Sequence, residues 1–180
     1  MGRRKPPPRV KPTRSRNNQK RELVESLPST AQRADLAARA RYGAYSKHKF
    51  HPTAYRLTPY AGPDEDRTFC DAHAEFVPAD LPRVPRLLGR GIVAGLWGDH
   101  PQGEDPRLLW TVDDNGWIYE LRITNAGQAE YHGYPVLPSD AFAKKVIERF
   151  ASWYETAEMG LKQAYLTDDE TLKAVRDRYR

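Results

Sequence analysis

Between Trp117 and Tyr134, the residues Trp117, Tyr119, Leu121 and Ile123 alternate with Ile118, Glu120, Arg122 and Thr124. On a β-strand such alternation turns one set toward a core and the other, here with an acid and a base, to the opposite face. The next strand adds either His132 with Tyr134 or Tyr131 with Gly133 to that face, and register decides which. A Glu, an Arg and a His converging on an open sheet face suit metal-independent RNA cleavage. A carboxylate or imidazole takes the 2′-hydroxyl proton, an imidazolium protonates the leaving oxygen, and a guanidinium stabilises phosphorane charge. Glu120, Arg122 and His132 are therefore the catalytic candidates. The same three residues also fit a cross-strand ion pair beside a surface histidine.

A second group is Cys70-Asp71-Ala72-His73-Ala74-Glu75 with His48 and His51 upstream. Cys-x-x-His offers two zinc ligands and one upstream histidine a third, but paired knuckles are missing, so a buried thiol and backbone-satisfied histidines are the expectation and no metal is assigned. His73-Ala74-Glu75 echoes the His-x-Glu of zinc nucleobase deaminases, yet the single cysteine rules out their Cys-x-x-Cys. Gly89-Arg90-Gly91 lacks the Lys-Ser/Thr of a phosphate loop, and no cofactor motif is present. Tyr42 to His51 interleaves aromatic residues with Lys47 and Lys49, a composition that stacks bases and holds phosphates.

Charge sharpens the last point. The chain of 180 residues carries a formal net charge of +5, but Arg3, Arg4, Lys5, Arg9, Lys11, Arg14, Arg16, Lys20 and Arg21 precede the first acid, Glu22. Those nine of the 29 basic side chains leave 20 against 24 acidic ones, so the remainder has a net charge of −4. An arm of one sign, rich in proline and nearly without apolar residues, cannot offset its ordering entropy and is expected to be disordered. It would gain affinity for RNA or DNA by counterion release, with Lys47 and Lys49 extending the contact. The acidic remainder also allows a basic protein partner. One cysteine, no apolar run long enough for a bilayer and no leader pattern place the chain, by expectation, in the cytoplasm and off the membrane. Oligomeric state is not legible.

The elements that must position these residues are one α+β domain over 29–180 behind a disordered arm over 1–28. Ser29 with Gln32 forms a capping box opening a helix to about Arg41, with Gly43 ending it. Periodicity disappears over 42–80, where prolines separate short extended pieces such as Tyr55–Leu57 and Thr68–Cys70. A helix follows over 82–96, its glycines allowing close approach to a sheet. A three-stranded or slightly larger antiparallel meander spans 108–134, with Asn115-Gly116 in its first hairpin. Phe142, Val146, Phe150, Trp153, Ala157 and Leu161 then make one apolar stripe on a helix over 139–161, and Thr167 with Glu170 caps a last helix over 168–178. The expected architecture is an antiparallel sheet with helices on one face.

In this order of elements the chain resembles small bacterial ribonuclease toxins of the barnase and RelE sort. That resemblance implies an endoribonuclease using the acid, base and histidine of the meander; the long irregular segment 42–80 departs from it. Nucleic-acid binding through the arm ranks first, ribonuclease activity second, and a neutralising or protein-interaction role third.

Overall fold

The structure, a computed structural model, describes residues 21–63, 67–99, 101–102, 104–166 and 169–180. Arg3, Arg4, Lys5, Arg9, Lys11, Arg14, Arg16 and Lys20 of the basic arm lie outside the described residues.

Helix α1 (Thr30–Arg39) begins at the expected capping box. The Ser29 hydroxyl accepts from Gln32 N and the Gln32 side chain accepts from Ser29 N. It ends at Ala40 rather than Gly43, because the backbone turns extended there and enters a two-residue strand, β1 (Arg41–Tyr42). The irregular segment holds 3-10 turns at Ser46–His48 and Pro52–Tyr55 and a single helical turn, α2 (Cys70–His73). Tyr55 and Cys70 are thus helical where extended backbone was expected.

Helix α3 (Val84–Val93) carries Pro85 in its first turn. Its glycines do what their size allows: a Cβ on Gly91 would sit 2.1 Å from the Trp110 carbonyl oxygen, so the helix backbone rests directly on the sheet. A two-residue ribbon, β2 (Pro101–Gln102) and β3 (Asp105–Pro106), leads into the meander of β4 (Leu108–Val112), β5 (Ile118–Asn125) and β6 (Glu130–Pro135). The first hairpin is held by Asp113, whose Oδ1 accepts from Asn115 N and Trp117 N, while Gly116 takes the positive φ of 79° that the turn needs.

The sheet is mixed, in the order β1-β6-β5-β4, because β1 pairs parallel with β6. Beyond β4 the ladder continues through isolated backbone pairs. Trp110 N donates to Leu96 O and Gly98 N to Leu108 O, then Val24 N donates to Trp97 O and Asp99 N to Glu22 O. Residues 21–28, expected within the disordered arm, therefore include a strand-like segment laid on the body.

Helices cover both sheet faces, not one. On the first, Leu109, Leu121 and Tyr131 meet Leu36 of α1 and Leu88 and Ile92 of α3. On the other, Trp110, Val112 and Ile118 meet Val146, Phe150 and Trp153 of α4 (Ala143–Thr156). Helix α4 stops where Ala157 adopts extended backbone, and α5 (Met159–Tyr165) leaves in a new direction. The expected single helix to residue 161, at about 1.5 Å per residue, would run on along one axis; the break brings Tyr165 against Gly89 of α3. Helix α6 (Thr171–Arg178) buries Leu172 and Val175 as expected, and Thr167 lies outside the described residues. Among the described residues no helix is long and apolar enough to cross a membrane. The protein is α+β.

Candidate functional site

Register resolves the face shared by the three catalytic candidates. Arg122 pairs with His132 and Glu120 with Tyr134, so Glu120, Arg122, His132 and Tyr134 project from one side, with Trp110 opposite Glu120 on β4. That side is not open. The start of α4 covers its near half, where the Phe142 ring lies 4.8 Å from that of Trp110. The turn at Ser46–His48 covers its far half, where the His48 ring stacks on Tyr134 at 4.5 Å and on His132 at 5.5 Å.

Glu120 is only 1% exposed and sits at the centre of a polar network. Its Oε1 accepts from the Tyr134 hydroxyl and, at 3.3 Å, from Arg122 Nη2. Its Oε2 accepts from Trp110 Nε1 at 3.3 Å and lies 2.7 Å from Arg21 Nε. Arg122 Nε also donates to the Tyr134 hydroxyl, at 2.8 Å. Burial works against both guanidiniums, but Glu120 and Asp140 raise Arg21 above its ordinary value, and Tyr134 and Glu120 raise Arg122. Burial, followed by the neighbouring Glu120 charge, raises the Tyr134 phenol. The carboxylate thus accepts three hydrogen bonds and forms an ion pair with Arg21, so Glu120 is buried in a polar network and does not stand on an open face as expected.

Arg21 is the second correction. Expected among the arm's phosphate contacts, it is part of this network: Nη1 donates to Asp140 Oδ2 at 2.8 Å and the guanidinium lies 4.9 Å above the Phe142 ring. Lys49 is the third. It is 3% exposed, its Nζ donates to the Tyr42 hydroxyl at 3.3 Å and lies 4.9 Å over the Tyr55 ring, so it does not reach a nucleic acid. It lines a cavity of about 40 Å³ with Cys70 and Tyr131, walled by apolar groups of α3 and the sheet. Lys47 stays half-buried at the surface, its Nζ 5.7 Å from the Tyr60 ring centre.

His132 is half-buried and shares a 2.8 Å hydrogen bond between Nδ1 and the Thr124 hydroxyl. Burial, then Arg122 and the two lysines, lower it to about 4. His48 is lowered further, to about 2, by burial and by His132. Both shifts favour the neutral ring.

The cysteine–histidine group does not converge. Cys70 Sγ donates to Gly133 O at 3.3 Å, and His73 Nδ1 accepts from Phe69 N at 2.9 Å. The backbone N–H groups of Phe50 and His51 donate to Asp71. Among the described residues no three His, Cys, Asp or Glu side chains are placed to hold a metal ion.

Sequence reasoning missed His48 as the partner of His132 and Arg21 as the partner of Glu120. The aromatic-cation run at Tyr42–His51 was the signal for the first. Nothing local signals the second. No protein-family model matches the chain, and no curated protein or solved structure matches it. The likeness to ribonuclease toxins extends no further than the order of elements.

Proposed function

We propose that the protein binds nucleic acid, with its basic N-terminal segment as the main phosphate contact. The observation that supports this most is the anchoring of Arg21 on Glu120 and Asp140. It fixes the root of a segment holding eight further cations and no acid on the sheet face of the half-buried Arg122 and His132. Twenty residues reach at most roughly 70 Å from that root, so a bound strand can be met by the segment and by exposed groups of the body, such as Tyr45, at once. Counterion release from the phosphates supplies the affinity.

The test replaces the eight cations before Arg21 with Gln in the full chain and measures binding to a labelled oligoribonucleotide across a salt series. The wild type is expected to lose affinity steeply with salt and the variant to bind weakly with a much flatter slope. Equal affinity and slope for the two would overturn the proposal. A second reading, ribonuclease action, is favoured by one observation: Arg122 and His132 stand directly opposite each other. RNA cleavage in EDTA that His132→Ala abolishes would establish it in place of simple binding.

A further inference from the structure

The hairpin between β4 and β5 draws three guanidiniums onto one carboxylate. Asp114 Oδ2 accepts from Arg83 Nη2 and Arg86 Nη2, each at 3.0 Å, and its Oδ1 accepts from Arg90 Nη2 at 2.5 Å. Beside them, Arg178 Nε and Nη2 donate to the carbonyl of Asn115, the next residue of the hairpin. Two further acids stand here. Asp80 accepts from Arg83 Nη1, and Asp113 is buried in the turn, where loss of hydration raises its carboxyl above the ordinary range and toward the neutral form. Four cations (Arg83, Arg86, Arg90 and Arg178) therefore face at most three carboxylates (Asp80, Asp113 and Asp114), on a chain that carries a net charge of −4 beyond Arg21.

The positive excess is felt inside the cluster and reaches its surface. Arg90, whose side chain is 0% exposed, is held below the ordinary arginine value: burial outweighs Asp114, and the neighbouring Arg86 charge lowers it further. A second anion beside the cluster would offset what Asp114 leaves uncompensated. Arg86 is the group that can receive it. Its side chain is 30% exposed, it donates to Asp114 alone among the described residues, and its Nε and Nη1 are neither hydrogen-bonded nor buried. Asp114 thus fixes one nitrogen of a guanidinium whose other donors reach solvent. Arg83, 32% exposed and held on the same carboxylate oxygen, flanks it.

We infer that Arg86, set by Asp114 and flanked by Arg83, is a second phosphate contact, on the folded body, for one backbone phosphate of a bound nucleic-acid strand. This rests on the nucleic-acid reading above. A guanidinium recognises a phosphate through charge-assisted hydrogen bonds, and one already oriented by a carboxylate loses less rotamer freedom on binding. The N-terminal segment reaches up to roughly 70 Å, whereas a folded body of this size is roughly 40 Å across, so one strand can bridge the segment and the hairpin. The contact adds affinity and fixes where the strand crosses the body, with no preference for base sequence.

The experiment measures binding of a labelled oligoribonucleotide of about a dozen residues by fluorescence anisotropy over a salt series, with Tm recorded for every protein. The full-length proteins are wild type, Arg86→Gln, Arg86→Lys, Lys144→Gln and the variant with its eight N-terminal cations replaced by Gln. Lys144 is exposed on α4, across the sheet from α3, and controls for the loss of one charge. Arg86→Gln leaves Asp114 its partners Arg83 and Arg90, so the hairpin stays held. It is expected to weaken binding roughly three- to tenfold at about 0.15 M salt and to flatten the salt slope by about 0.7, the share of one phosphate on a single strand, while Lys144→Gln and Arg86→Lys keep the wild-type slope. The same slope in Arg86→Gln as in Lys144→Gln, or a loss in Arg86→Lys as large as in Arg86→Gln, would overturn the contact. The eight-cation variant judges the wider reading separately: wild-type affinity and slope there would remove the segment as the phosphate contact while the Arg86 variants still decide the hairpin. Absence of any binding by the wild type would sink both.

Discussion

Arg21 Nε lies 2.7 Å from Glu120 Oε2, so the last cation before the chain's first acid is tied to the sheet by an ion pair. The contact turns Glu120 from a candidate base into the acceptor that holds Arg21, Arg122, Trp110 and Tyr134 together.

Replacing Glu120 should accordingly cost fold stability. Glu120→Ala removes the acceptor of the Tyr134 hydroxyl, of Trp110 Nε1 and of one Arg122 donor, and the ion-pair partner of Arg21, and is expected to lower unfolding free energy by about 3 kcal/mol; Glu120→Gln keeps the shape and one acceptor and should cost less. Urea unfolding monitored by tryptophan fluorescence checks this. Unchanged stability in Glu120→Ala would return the residue to a functional role.

Acidification should loosen the packing of His48 on His132 and Tyr134. His48 and His132 are held at about 2 and about 4, below the ordinary histidine value near 6.5. Their neutral forms therefore favour the folded state. That contribution is complete above about pH 6.5 and declines as pH falls toward the folded values, by up to about 1.4 kcal/mol per pH unit for each ring. Stability measured at pH 7 and pH 5 should differ less in His48→Phe than in the wild type. An identical difference in the two proteins would refute the assignment.

Gly91 has no room for a methyl group. The obstacle is the Trp110 carbonyl, a backbone atom of β4, so Gly91→Ala must push α3 off the sheet and is expected to cost about 2–3 kcal/mol, read as a lowered Tm. Gly160, which has nothing within 4 Å of an added Cβ, is the control.

Cys70 should be silent to thiol reagents. It is 4% exposed and burial raises its thiol above the ordinary value. Labelling in buffer is expected to be more than roughly a hundredfold slower than in urea, and fast labelling of the native protein would contradict the burial.

Features written in short stretches of chain were legible in the sequence. The Ser29–Gln32 capping box and the Asn115-Gly116 hairpin each depend on neighbours a few residues apart, and each appears in the structure; β5 also forms, although its first four residues are buried on both faces rather than alternately. What depends on distant segments was not. Two residues carry no strand signal, so β1 was invisible until β6 paired with it. The face of Glu120 reads as solvated because alternation reports only that two faces differ, not that Phe142 and His48 will cover the second. Lys47 and Lys49 look alike in sequence, yet the end of one 3-10 turn leaves the first at the surface and sends the second under β6. The shared face of Glu120, Arg122 and His132 was readable up to a choice of register, and register is a property of two strands.

The backbone ladder from β4 through Leu96–Gly98 to Glu22–Val24 has a consequence for how the molecule behaves in a crowd. An unpaired strand edge invites another chain to add to it, and short or charged edges discourage that. Here one rim of the sheet is the two-residue β1, and the other is a segment flanked by Glu22 and exposed Glu25. Proteolysis before Arg21 leaves that rim in place, whereas loss of the segment through Val24 bares the Trp97 carbonyl and the Asp99 N–H and opens a route to intermolecular strand pairing and aggregation.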